Sequence, residues 1–386
     1  MKHYDYIILG AGASGLQLAY YMAMDDFYNE KSILIIDKSK KNKNDRTWCF
    51  WETGQGDFDN IVYKTWDTAF IGSSYYNRAL HMQPYVYKMI RGIDFYNYIL
   101  GILNTRKNIT LVQEEILSYN DNGNIVTVNT ASKTYEADRA FNSLFNMESI
   151  LTQKKFPVLQ QHFIGWYVKT ETAVFNPERV TFMDFSVPQK GNTRFMYVLP
   201  ISPTEALIEY TLFSEHLLPN KEYEEAIEAY LKRIGIGTGT FKILEKERGS
   251  IPMTCYDFQK ADSKNLIHIG TAGGWTKAST GFTFKNTNEK IKKLIQRIKK
   301  EEDFSKLGKK NRFWYYDLLL LDVLYKRNDL GAYIFPSLFK RNRTQMIFKF
   351  LEEKTTPSQE IKILFSVTHW EFIKAFLRRI FKQSVS

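Results

Sequence analysis

The stretch YDYIILGAGASGLQLAYYMA, residues 4–23, opens as an apolar run, breaks at glycines and resumes with helix-favouring residues. Gly10, Gly12 and Gly15 form GxGxxG between a strand and a helix. The first glycine makes the tight turn, the second lets backbone approach a pyrophosphate, and the third lets helix and strand pack closely. Ala13 and Ser14 open the helix, whose free amides meet phosphate charge. Working outward, KSILIIDKS (31–39) is a second buried strand ending in Asp37, placed to bind ribose hydroxyls. The stretch therefore sets an α/β fold built on a Rossmann-type dinucleotide-binding domain. A second glycine run, GIGTGT (235–240), has the wrong spacing and follows a helix, so it reads as a helix end and loop.

The chain has 386 residues, enough for two joined domains, with 44% hydrophobic and 15% aromatic residues. Its formal charge of +11 points to an acidic partner. Nucleic acid is not expected, because no recognition motif accompanies the charge. Cys49 and Cys255 belong to no metal-ligand cluster, so no metal and a reduced, cytosolic setting are expected. No apolar run is long enough to span a bilayer, and a first strand at about residue 4 leaves no room for a leader peptide.

Along the chain, residues 1–84 read as the first part of the nucleotide-binding domain, and 85–150 as a helix and strands completing it. Residues 151–258 form an inserted antiparallel sheet for substrate, with QHFIGWYVKT, VTFMDFSV, TRFMYVLPIS and EALIEYTLF as strands and KEYEEAIEAYLKRIG as a helix. Residues 259–303 return to the first domain, and 304–386 are helical and basic. In NLIHIGTAGGWTKASTGFTF (265–284), Gly270, Thr271, Gly273 and Gly274 make a small-residue turn after a strand. Such a turn sends backbone amides to a flavin, which favours FAD over NAD.

These segments together resemble a known family, the flavoprotein lycopene β-cyclases of carotenoid-making bacteria. The resemblance is carried by GAGASGL, DRTWCFWE (45–52), QQHFIGWYVKT (160–170), TFMDF (181–185), FMYVLPISPTEALIEYTLFS (195–214), GSIPMT (249–254) and IGTAGGWTKASTGFTF (269–284), in the family's order over roughly residues 1–290. It implies proton-initiated, redox-neutral closure of the linear ends of lycopene into β-ionone rings with reduced FAD, NAD(P)H being one candidate electron source. The family's acidic motif, commonly FLEET, is LIEYT at 207–211 here: the first glutamate is Glu209, and Tyr210 replaces the second. That replacement removes a role needing paired carboxylates within the motif and narrows the acid to Glu209. The competing reading is an FAD-dependent reductase or monooxygenase acting on a polyprenyl or other lipid.

Protonating an alkene requires an acid kept neutral near pH 7, and an apolar setting raises a carboxyl pKa. Glu209 lies in sequence among Ile208, Tyr210 and Leu212. Either Glu209 or the reduced flavin delivers the proton, and the two roles require opposite charge states of Glu209. Trp48, Phe50, Trp51, Tyr210 and Trp275 are expected to line the substrate site and face the cation. Asp184 is read as a second acid or base, or as a solvent-facing strand residue; Arg46 as a flavin-phosphate ligand, or a surface arginine. Lycopene lives in lipid, and residues 331–386 carry ten Lys or Arg against four Glu. In THWEFIKAFLRRIFKQ, Trp370, Ile373, Phe376, Leu377, Ile380 and Phe381 share one helical face, with Lys374, Arg378 and Lys382 on another. The expected partners are thus linear carotenoids and a lipid surface, with the enzyme peripheral on the inner face of the cell membrane.

Overall fold

The structure, a computed structural model, describes residues 2–304, 310–367 and 370–381. The chain divides into two compact units, Met1–Trp48, Ile90–Gln153 and Cys255–Asn311 in the first, and Cys49–Met89, Lys154–Thr254 and Arg312–Ser386 in the second. Residues 49–89, assigned on sequence grounds to the nucleotide-binding part, fold with the second unit, as does the C-terminal helical region from Arg312.

The first unit carries a seven-stranded sheet. Its order is β8 (Ile109–Gln113), β2 (Ile33–Asp37), β1 (Lys2–Leu9), β11 (Thr134–Asn142), β10 (Val126–Thr130) and β9 (Ile116–Asp121), with β17 (Leu266–His268) also on β11. The pairs β8–β2, β2–β1, β1–β11 and β11–β17 are parallel. All five residues of β2 are buried, which is why it reads as an unbroken apolar run instead of an alternating one. Ile7, Leu9, Leu34, Ile36, Val126 and Ala140 belong to one core cluster of this unit.

The second unit holds a seven-stranded mixed sheet ordered β16 (Phe241–Met253), β12 (Leu159–Thr170), β15 (Glu205–Ser214), β14 (Thr193–Pro200), β13 (Arg179–Asp184), β5 (Thr68–Gly72) and β6 (Asn77–His81). Only β13–β5 is parallel within it. A three-stranded sheet, β3 (Thr47–Thr53), β7 (Tyr85–Arg91) and β4 (Lys64–Trp66), lies mostly in this unit, and Trp66 Nε1 ties it to the Pro200 carbonyl at 3.2 Å. Strand alternation gives the large sheet two different faces. Ile164, Trp166, Val168, Met196, Val198, Ile208, Tyr210 and Leu212 pack with helix Asn220–Arg233 through Tyr223, Ile227 and Leu231. Gly165, Tyr197 and Glu209 face the other way.

Five α-helices among the described residues between Arg312 and Ile380 complete this unit. The last, Trp370–Ile380, is anchored by Ala375, fully buried, and by Arg379, whose guanidinium pairs with Asp322 and donates to the Lys155 carbonyl at 3.0 Å. No helix among the described residues is long and apolar enough to cross a membrane.

Candidate functional site

In the first unit, Gly10 has a φ of +94°, and a Cβ on Gly15 would come within 2.0 Å of the Gly10 carbonyl oxygen, so strand and helix meet only over glycine. A Cβ on Gly12 would meet nothing within 4 Å, and helix Ala13–Ala23 has no side-chain cap. The turn therefore keeps open backbone and free amides where a pyrophosphate is expected to sit. Gly270, with φ +61°, presses the return turn onto the helix start; a Cβ there would lie 1.9 Å from Ser14 Oγ. Further along this return segment, Ser279 buries an Oγ with no hydrogen-bond partner among the described residues. These features fit a nucleotide cofactor.

Asp37 does more than end its strand. Its Oδ2 accepts from the Ala11 amide at 2.7 Å and pairs with Lys41 at 3.1 Å, while Oδ1 accepts from Ser39 N at 2.7 Å. Burial alone would raise this carboxyl, but the Ser39 and Ala11 amides and the Lys41 charge outweigh it and hold it below the usual carboxylate range. The carboxylate braces the glycine turn. Arg46 is exposed, donating to the Asp45 carbonyl at 2.7 Å, and Trp275 is buried with Lys290 Nζ 5.8 Å from its ring centroid. Trp48 stacks on Phe284 at 5.4 Å.

The second unit builds a different site around Glu209. Register places Gly165 of β12 opposite Glu209 on one side and opposite Glu247 of β16 on the other. Both glutamates are buried, at 7% and 8% exposure. A Cβ on Gly165 would lie 2.8 Å from Glu209 Cγ and 3.2 Å from Glu247 Cγ, so the absent side chain is what lets the two carboxyls converge. They share a hydrogen bond, and burial followed by the Glu247 charge pushes Glu209 well above the usual carboxylate range. Tyr197 of β14 stands opposite Glu209, and its hydroxyl meets that of Tyr87 on β7 at 2.7 Å. Cys49 of β3 bonds to both tyrosines, and burial pushes its thiol up.

The structure thus keeps Glu209 as a buried acid but corrects its surroundings. Ile208, Tyr210 and Leu212 lie on the opposite face, against helix Asn220–Arg233; the Tyr210 hydroxyl accepts from Arg194 at 3.2 Å. Tyr210 is therefore a core residue and not a lining one. Asp184 also differs from expectation: its carboxylate accepts from Ser186 N at 3.0 Å and pairs with Arg233 at 3.1 Å, fastening the end of that helix. Trp51 stacks on Phe348 at 4.5 Å, and Phe50 is buried. Glu247, Cys49, Tyr87 and Tyr197 were not singled out for this chemistry from the sequence. The only local signal was GSIPMT, which begins two residues after Glu247.

Comparison with known proteins sets this geometry in context. A lycopene beta-cyclase from a Paracoccus species is 30% identical over 128 residues, which is 32% of this chain and 32% of that protein. The chain thus matches about a third of that relative's length. A flavoprotein/dehydrogenase from Cytophaga hutchinsonii superposes with a TM-score of 0.61 at 12% identity, covering 99% of this chain and 100% of the other. A halogenase solved in complex with FAD gives 0.53 at 12% identity, covering 90% and 79%. These two likenesses establish a flavoprotein-type fold. Residues 5–378 match the lycopene cyclase protein family, and the chain belongs to it.

Proposed function

We propose that this protein is a lycopene β-cyclase, closing the acyclic ends of lycopene into β-ionone rings without net redox change, γ-carotene forming before β-carotene. The observation that carries this reading is Glu209: a carboxyl buried beside a second carboxyl, raised well above its usual range and so held protonated near neutral pH. An alkene is a feeble base, and a neutral, fixed carboxylic acid is what its protonation needs. Glu209 donates to the terminal double bond; the resulting cation is attacked by a neighbouring double bond; the ring then loses a proton. Tyr87 and Tyr197 offer rings on the same face, next to the acid.

FAD is assigned to the first unit, held by Gly12, Ala13, Ser14 and the Gly270–Gly274 turn, with Asp37 fixing the turn. Bound in its reduced form, it supplies electron density that favours positive charge, with NAD(P)H as the source of that reduction. A lipid-dissolved substrate requires a lipid surface. The C-terminal helix suits one, with Trp370, Phe376, Ile380 and Phe381 at least half exposed and Lys374 and Arg378 beside them. Lys382, assigned to the same basic face, lies outside the described residues. On this reading the enzyme sits peripherally on the inner face of the cell membrane.

The test is an anaerobic assay with anionic vesicles carrying lycopene and pre-reduced FAD, with pigments resolved chromatographically and flavin absorbance followed. Cyclic product without stoichiometric flavin oxidation supports the reading. Product that tracks flavin oxidation refutes it in favour of a reductase or monooxygenase, and absence of any cyclic pigment refutes it outright.

A further inference from the structure

We propose that Glu209 and Glu247 form a dyad carrying one proton between them, Glu247 being the positioning residue that keeps that proton on Glu209 and returns the pair to its starting state. The inference rests on the ring-closing reading above. It extends the acid from one residue to two, joining strands that are not adjacent in the sheet.

The register makes the dyad. β15 and β16 flank β12, and the only residue between Glu209 and Glu247 in that row is Gly165. With hydrogen alone at that position, the two side chains lean over the glycine and reach each other. Two carboxylates in such contact repel each other in a buried setting unless a cation compensates them, so at rest one proton stays on Glu209, and the doubly ionised pair forms only while the substrate carbocation faces it. Lys246 and Arg248 flank Glu247 in the chain but belong to the other face: Lys246 lies 4.9 Å over the Trp166 ring, and Arg248 acts on His162 and Tyr223. The titratable groups facing Glu209 from its packing partners are Glu247, Tyr197, Tyr87 and Cys49, all neutral or acidic. Farther along β15, Thr211 stands on the dyad's face, 1% exposed, with an Oγ that has no hydrogen-bond partner among the described residues.

The proton account closes. The Glu209 O–H bond breaks as a C–H bond forms at the polyene end, leaving a dianionic pair beside a carbocation. Ring closure makes one C–C bond from a second double bond. A ring C–H then breaks, its electron pair becomes the ring double bond, and the proton returns to Glu209. No electrons enter or leave, and the pair again holds one proton.

The test uses FAD-loaded full-length protein, with two readouts. Infrared difference titration follows the carboxylic C=O band in the wild type, Glu209→Gln, Glu247→Gln and Glu247→Asp. Cyclisation is followed over the same pH range. The dyad requires a protonated band at neutral pH, lost in Glu209→Gln. In Glu247→Gln its midpoint and the alkaline limb of the rate both move to lower pH by about 1–2 units. Glu247→Asp, which keeps the charge, restores most of the shift. A merely structural Glu247 would lower the amount of active enzyme and leave both midpoints in place, and that result overturns the dyad. A wild type without the protonated band overturns it as well. A band that shifts as described in a protein yielding no cyclic pigment supports the shared proton and rejects the ring-closing reading.

Discussion

Gly165→Ala adds one methyl group at the centre of the site and nothing else. The position is extended strand, where alanine is no worse than glycine, so the backbone raises no objection. The methyl carbon would lie 2.8 Å from Glu209 Cγ, 3.0 Å from Leu207 Cδ1 and 3.2 Å from Glu247 Cγ, well inside ordinary carbon–carbon contact. Something must shift, and the two glutamate stems are the freest to do so. Overpacking of this kind costs about 1–3 kcal/mol, a fall in Tm of roughly 2–12 °C for a unit of this size. The chemical effect is larger than the structural one. Displacing an acid by about 1 Å costs up to about 100-fold in rate, and parting the carboxyls weakens the repulsion that keeps Glu209 neutral. The expectation is a folded protein with normal FAD content, a rate down by about 10- to 100-fold, and an alkaline limb moved to lower pH. Differential scanning fluorimetry, flavin absorbance and a pH series of pigment formation measure these quantities. A variant with wild-type rate and limb would show that the carboxyls do not depend on the glycine, and the reasoning about this site would fall.

Four other outcomes follow from the same geometry. Because the folded pKa of Glu209 is raised, the native state binds its proton more tightly than the unfolded chain, so this group's contribution to stability is present at low pH and lost as pH rises above the ordinary glutamate range towards the raised value. Glu209→Gln should therefore be more stable than wild type at neutral and alkaline pH in thermal melts, while cyclisation falls by about 10²- to 10⁴-fold. Thr211→Val removes a buried hydroxyl that has no partner among the described residues, so it should raise Tm in thermal melts. Asp184→Asn breaks a pair whose arginine is substantially exposed, so melts should show a loss of no more than about 1 kcal/mol and the pH–rate profile should not move. Phe376→Ser with Phe381→Ser should reduce co-sedimentation with anionic vesicles by about 100-fold or more, each ring being worth about 1.5–3 kcal/mol on burial, with FAD binding unchanged.

What could be read from the sequence divides along a physical line. The glycine turn, its strand and its helix are specified within twenty contiguous residues, and the structure reproduces them. Helix Asn220–Arg233 and the hairpin across Val126 are local in the same sense. The exposed apolar face of Trp370–Ile380 follows from helical period alone. The surroundings of Glu209 are not local. Ile208 and Tyr210 are its neighbours in the chain, but a period of two sends them to the other face, and its true companions come from strands β3, β7, β14 and β16.

Glu247 shows why such a companion escapes notice. FKILEKERGSIPM reads as a charged edge, and from Phe241 to Ser250 the strand is indeed largely exposed; nothing in its own pattern sets Glu247 apart from Glu245. The distinction is made by β12, where Tyr167 stands opposite Glu245 but Gly165 stands opposite Glu247. A register error of one residue would put Glu247 on the helix face among Trp166 and Tyr223, where a second carboxyl could not reach Glu209. The replacement of the second motif glutamate by Tyr210 also takes on a different meaning. A carboxylate there would point into the apolar core, away from Glu209, whereas the paired acid is supplied across the sheet. If the dyad proposed above holds the proton, the loss of adjacency within the motif costs this chain nothing, because the carboxyl pairing then lies between strands.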